Sequence, residues 1–125
     1  MTVRVLVVDD EVDLLTTYER LLRRQGYEVT AVSSRAAALE AVAHEPPSLI
    51  ISDLRLADGE GLDIVRAARA GPHPLPVIVV TGYASEERRR AALAAGATAF
   101  FAKPFLASAL VASVRTHLGR SIPED

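Results

Sequence analysis

Apolar residues fall into two alternating patterns along the chain. Short runs rich in β-branched residues occur at Val3–Val8, Tyr27–Val32, Leu49–Ser52, Val77–Val80 and, less sharply, Ala99–Ala102. Continuous apolar runs of this length predict strands buried on both faces. The segments between them are longer and follow helical spacing. Val12, Leu15, Tyr18 and Leu22 form one stripe, joined by Leu14 and Leu21, and the stripe ends near Gly26. A second helix is predicted from Ser34 to His44, opened by capping serines and closed before Pro46-Pro47. A third carries Leu62, Ile64, Val65 and Ala68 up to Gly71-Pro72. A fourth opens with Ser85, Glu86 and Glu87, acids that suit a positive helix start, and ends at Gly96. A fifth repeats apolar residues at Leu106, Leu110, Val114 and Leu118.

The pattern is therefore a strand followed by a helix, five times over. Strands that alternate with helices of this length pair in parallel, and each crossover lays a helix on one face. The predicted fold is an α/β three-layer sandwich, (βα)5, with a five-stranded parallel sheet in the flavodoxin-like order 2-1-3-4-5. In such sheets ligands bind beyond the carboxyl ends of the strands, where the strand order reverses.

Composition sets the limits. The chain has 125 residues, half of them apolar, with 14 basic residues against 16 acidic ones. That length supports one domain without disulfides or a structural metal. The domain is read as residues 1–120, and 121–125 as a frayed tail or the start of a linker to an output domain. No cysteine is present, which removes thiol catalysis and Cys-ligated zinc and fits a reducing, cytoplasmic compartment. The N-terminus lacks the pattern of a signal peptide, and no run of about 18 apolar residues predicts a membrane span. The near-neutral charge gives little footprint for nucleic acid. Thirteen of the 14 basic residues are arginine, so Lys103 stands alone as a compact ammonium.

The informative positions lie at the ends of the predicted strands. The first strand ends in Asp9-Asp10, the third in Asp53, the fourth in Thr81 and the fifth in Lys103, and the predicted topology brings all of them to one rim. Carboxylates crowded together repel one another unless a cation joins them. With oxygen ligands only, Mg2+ is the metal expected. Lys103 then offers a point charge for a phosphoryl oxygen, and Thr81 a hydroxyl donor. Asp53, between the acid pair and the Thr81/Lys103 pair, is the candidate nucleophile for an aspartyl phosphate.

Four segments, Val7-Val8-Asp9-Asp10-Glu11, Ser52-Asp53-Leu54-Arg55-Leu56, Val80-Thr81-Gly82-Tyr83 and Lys103-Pro104-Phe105, resemble the receiver domain of two-component response regulators across essentially the whole chain. The resemblance implies that Asp53 accepts a phosphoryl group from a sensor histidine kinase or a histidine phosphotransfer protein. It implies Mg2+ held by Asp10, Asp53 and the backbone carbonyl of Arg55, with Asp9 acting through water. Thr81 and Lys103 would contact the phosphoryl oxygens, and Gly82 would leave room for the group. Thr81 and Phe100 would form the switch, altering the surface of the fourth helix, fifth strand and fifth helix. That surface would control an output domain or target protein, or a homodimer formed on phosphorylation. Arg55 and Tyr83 would tune the lifetime of the acyl phosphate, and the Lys103-Pro104 peptide would be cis.

The sequence also departs from the family pattern. A proline is common four residues after the phosphoacceptor, where this chain has Ala57, so the Asp58-Gly59-Glu60-Gly61 loop is expected to be looser. Phe100 replaces the commoner tyrosine. Arg88–Arg90 reads as a solvated helix face, Asp9 or Asp10 taken singly as a helix N-cap, and Phe101 and Phe105 as core. His44, His73 and His117 show no metal spacing. Two other functions compete. A magnesium phosphohydrolase with an aspartyl nucleophile would need an Asp-x-Asp pair on the first strand and a cap. A phosphorylation-independent module would lose one of the acids or the lysine, and this chain keeps all five.

Overall fold

The structure, a computed structural model, describes residues 3–119; the tail read as 121–125 lies outside them. The main sheet contains β1 (Arg4–Val8), β2 (Glu28–Val32), β3 (Leu49–Ser52), β4 (Val77–Thr81) and β5 (Ala99–Ala102). These strands pair in parallel in the order β2-β1-β3-β4-β5, as the alternating pattern predicts. The helices are α1 (Val12–Arg24), α2 (Arg35–His44), α3 (Leu62–Ala70), α4 (Glu86–Ala95) and α5 (Ala107–Gly119). One feature lies outside the (βα)5 pattern: a small antiparallel ladder that pairs Arg55 with Glu60 and Leu56 with Gly59 in the loop after β3.

Side chains alternate across each central strand, which divides the core in two. Val5, Val7, Leu49, Ile51, Ile78 and Val80 pack with Leu15, Tyr18 and Leu22 of α1 and Leu110, Val114 and Leu118 of α5. Leu6, Val8, Ile50, Val77 and Val79 pack with Ala38 of α2, Ile64 and Val65 of α3 and Ala92 of α4. This two-sided burial is why the strands read as unbroken apolar runs.

Local signals end the helices where the sequence places them. The Ser34 and Ser85 hydroxyls accept from Ala37 N and Arg88 N at the starts of α2 and α4. Gly96 closes α4 with φ +114°, a left-handed cap that glycine adopts without a Cβ penalty. Neither aspartate caps α1, where the N-cap is Glu11 and no side chain supplies a cap bond.

Tyr18 of α1 is fully buried and stacks on Phe105 at 5.7 Å between centroids, which bears out the core reading of Phe105. Burial pushes the Tyr18 phenol far above its ordinary value, and the nearby charges of Asp9, Asp53 and Glu11 add to the shift. The unfolded chain therefore releases this proton near pH 10 while the folded chain keeps it, so the contribution is intact below about pH 10 and is lost as pH rises above it. Spectrophotometric titration is expected to show the Tyr18 phenol ionising only with unfolding. That late step should vanish in Tyr18→Phe; its persistence there would refute the assignment.

Candidate functional site

The backbone carries the strand pairing one residue past the strands and thereby fixes the rim. Asp9 N donates to Val32 O (3.2 Å), Asp53 N to Val8 O (3.1 Å) and Lys103 N to Thr81 O (2.9 Å). Asp9 and Asp53 thus stand beside each other on β1 and β3, where the strand order reverses, and Lys103 reaches across from the far edge of the sheet.

Lys103 Nζ donates to Asp9 Oδ2 at 2.7 Å and to Asp53 Oδ2 at 2.9 Å, and lies 3.8 Å from Glu11 Oε1. The remaining oxygens are held by the backbone. Asp53 Oδ1 accepts from Leu54 N (2.6 Å) and Arg55 N (3.3 Å), and Asp9 Oδ1 accepts from Glu11 N (2.9 Å). Asp9 is 0% exposed and Asp53 6%, whereas Asp10 faces solvent. Asp9, Asp10 and Asp53 each offer a carboxylate oxygen, and these atoms all lie within 4.8 Å of one another.

The charges in this cluster do not balance. Burial raises the Asp9 carboxyl above its ordinary value, and the Lys103 and Glu11 hydrogen bonds with the ammonium charge offset only part of that rise. Burial works against the Lys103 ammonium too, but its hydrogen bonds to Asp53 and Asp9 and the charges behind them outweigh it and hold the group above its usual value. Three carboxylates face one ammonium, an excess of negative charge that a cation would relieve.

The other rim residues come from β4 and the loops. Thr81 is buried, and its Oγ1 accepts from Tyr83 N at 3.1 Å. Tyr83 is 52% exposed; the Arg55 guanidinium lies 4.5 Å from its ring centroid and that of Arg88 5.9 Å. Arg88 also donates to Tyr83 O at 2.8 Å, and like Arg89 and Arg90 it stays exposed, in keeping with the reading of Arg88–Arg90 as a solvated helix face. Arg89 and Arg90 pair along α4 with Glu86, three and four residues before them. Phe100 is half-buried against the core on the α2, α3 and α4 side, and Phe101 packs on the opposite side. The Lys103-Pro104 peptide is cis.

The loop after Asp53 is tied down, not loose. Besides the ladder at Arg55–Leu56, the Asp58 carboxylate accepts from the first two amides of α2, Arg35 N at 2.7 Å and Ala36 N at 3.0 Å. The Arg35 side chain returns to Asp63 of α3 at 2.8 Å. Hydrogen bonds from Ala36 and Arg35 hold the Asp58 carboxyl below its ordinary value.

Residues 5–115 match the model of the response regulator receiver domain. The chain belongs to that family. Transcriptional regulatory protein PrrA of Mycobacterium tuberculosis is 39% identical over 117 residues, which cover 94% of this chain and 50% of PrrA. The chain spans about half the length of the curated relatives it matches. Among solved structures, the signal receiver domain of a LuxO repressor-like protein from Vibrio parahaemolyticus superposes with a TM-score of 0.91 at 30% identity, covering 97% of this chain and 93% of that one. A CheY-like receiver domain from Methanospirillum hungatei gives 0.90 at 31% identity, covering 96% of each chain. The receiver domain is a signalling module of two-component systems. Among its described residues no helix is long and apolar enough to cross a membrane.

In this receiver domain the strand-end residues Asp9, Asp53 and Lys103 meet through direct bonds, and Asp10 joins the acidic cluster. Thr81, Arg55 and Tyr83 connect through the Tyr83 amide and ring. Phe100 lies apart on β5, next to Val79 of β4 in the strand register. Sequence reasoning missed Asp58 and Arg88 as site supports. Their partners lie on other elements or behind a change of element, where residue spacing carries no signal.

Proposed function

We propose that Asp53 is the phosphoacceptor of a phosphorylation-dependent switch. The carrying observation is the Lys103 ammonium bridging two buried carboxylates, Asp9 and Asp53, at 2.7 and 2.9 Å. An Asp53 carboxylate oxygen attacks phosphorus, the bond from phosphorus to the imidazole nitrogen of a kinase or phosphotransfer-protein phosphohistidine breaks, and its electron pair leaves on that nitrogen. Asp53 is ready for attack because backbone amides and Lys103 fix its orientation. Lys103 neutralises negative charge on the incoming group, and the Thr81 hydroxyl donates to it. A small-molecule phosphodonor such as acetyl phosphate meets the same groups.

The donor set fits Mg2+: it is all oxygen, clustered and in excess negative charge. Asp10, Asp53 and the Arg55 carbonyl would hold the ion, with Asp9 acting through water. Bound there, Mg2+ would neutralise charge on the phosphoryl oxygens. An open cavity of about 520 Å³ lined by Glu11, Leu14, Leu21, Lys103 and Phe105 gives a donor protein an approach to Lys103 from the α1 side. Phosphorylation then shifts Thr81 and Phe100 between two packings and changes the surface of α4, β5 and α5 for an output domain, a target protein or a second copy of the chain.

The test is phosphate incorporation from acetyl phosphate with Mg2+ or with EDTA. One label per chain, dependent on the metal, is the expected result. Continuous release of phosphate from simple phosphomonoesters would instead indicate a hydrolase, and no label at all a phosphorylation-independent module.

The same labelled protein tests the tuning residues. Asp53 is nearly closed to solvent, and Arg55 and Tyr83, two residues beyond Asp53 and Thr81, stack on one another; that pair would limit access of water to the acyl phosphate. Arg55→Ala and Tyr83→Ala are each expected to shorten the half-life of the label several-fold, and an unchanged half-life in both would overturn the assignment.

A further inference from the structure

The geometry points to Asp58 as a positioning residue for the metal, one that holds the loop presenting the Arg55 carbonyl by clamping it to the N-terminus of α2. This rests on the Mg2+ reading of the site and assigns a role that the strand-end residues do not cover. The loop from Leu54 to Gly61 supplies a ligand through its backbone, so the direction of one carbonyl depends on how the whole loop is held. A proline does not stiffen it, because Ala57 occupies that place.

What holds it instead is a clamp between two elements. The ladder of Arg55 with Glu60 and Leu56 with Gly59 turns the chain at Ala57-Asp58. At the tip of that turn both Asp58 oxygens are bonded, Oδ1 to Arg35 N and Oδ2 to Ala36 N, which are orphan amides at the start of α2. Arg35 then reaches Asp63 of α3 through its Nε at 2.9 Å, so the loop is fastened to the helices on both sides of it. Ser34 caps a different amide of α2, Ala37 N, and makes no bond to the loop. Supporting partners of this kind orient metal ligands without touching the ion.

The contrast between Asp58 and Ser34 provides the experiment. The 15N-labelled chain is titrated with MgCl2 and followed by amide shifts, which report folding and affinity together. Asp58→Ala is expected to raise the Mg2+ dissociation constant on the order of tenfold, with Asp58→Asn, which keeps one good acceptor, falling between it and the wild type. Ser34→Ala weakens the same helix end but is expected to leave the constant unchanged. An unchanged constant in both folded Asp58 variants would overturn the proposal. So would an equal rise in Ser34→Ala, which would trace the effect to helix stability. Absence of Mg2+ binding in the wild type would overturn the metal reading itself, and this role with it, an outcome visible before any variant is made.

Discussion

Asp53→Asn is expected to abolish labelling by acetyl phosphate, with the chain still folded and no residual incorporation above background. The substitution is nearly isosteric, so the packing around residue 53 is retained. The amide oxygen can still accept from Leu54 N and Arg55 N, as Asp53 Oδ1 does. What it lacks is a second acceptor oxygen and a negative charge. The amide nitrogen is a weak nucleophile, and as a donor it cannot accept from the Lys103 ammonium. Lys103 keeps Asp9 as its partner at 2.7 Å, so the ammonium is not left unpaired. One of the three crowded carboxylates is gone, which removes repulsion, and the melting temperature without metal should stay level or rise. Mass spectrometry for the phosphoryl adduct, paired with a thermal melt, separates the possibilities. A folded variant that still takes up one phosphoryl group would place the acceptor elsewhere and remove the basis for the roles of Thr81 and Lys103.

Much of this site is legible in the sequence because strand ends are legible. β1, β3 and β4 are buried on both faces, so their apolar runs stop abruptly where the chain meets the rim, at Asp9 after β1, at Ser52-Asp53 after the run of β3 and at Thr81 in β4. The lone lysine in an arginine-rich chain marks the fourth corner. Less visible is the division of labour between Asp9 and Asp10: adjacent acids look equivalent in sequence, yet one is fully buried against Lys103 and the other faces solvent. That difference arises from the reach of Lys103 across the sheet, a contact spanning 94 residues. The ladder at Arg55–Leu56 is too short to show a periodicity, and Asp58 caps a helix that begins 23 residues before it. Three consecutive arginines likewise hide their roles. Arg88 sits in the first turn of α4 and reaches back to Tyr83 O, while Arg89 and Arg90 lie one helical turn from Glu86. Helix capping, by contrast, is local, so Ser34, Ser85 and Gly96 are found where the pattern puts them.

Gly61→Ala is expected to lower stability by about 3 kcal/mol, near the upper end for overpacking, and to disturb the site together with the fold. The constraint is space, since Gly61 has an ordinary helical φ of −67°. A Cβ at this position would stand 2.0 Å from the carbonyl oxygen of Asp53, 2.9 Å from Leu54 Cα and 3.0 Å from Asp53 C. These are backbone atoms, which cannot swing aside as the end of a long side chain can. Relief requires the loop to move, and Gly61 is where the loop closes: its N–H donates to Leu54 O at 2.8 Å, and its carbonyl accepts from Ile64 N and Val65 N at the start of α3. Moving Gly61 therefore shifts the residue after the phosphoacceptor and the first turn of a helix whose Ile64 and Val65 are fully buried. A fall in melting temperature of roughly 10 °C is expected, together with slower labelling at Asp53. Gly71→Ala is the control, because nothing lies within 4 Å of a Cβ built there, and it should change stability by less than about 0.5 kcal/mol. Equal melting temperatures for the two variants would show that the loop can absorb the methyl group, and the close approach at Asp53 would then not be what requires glycine.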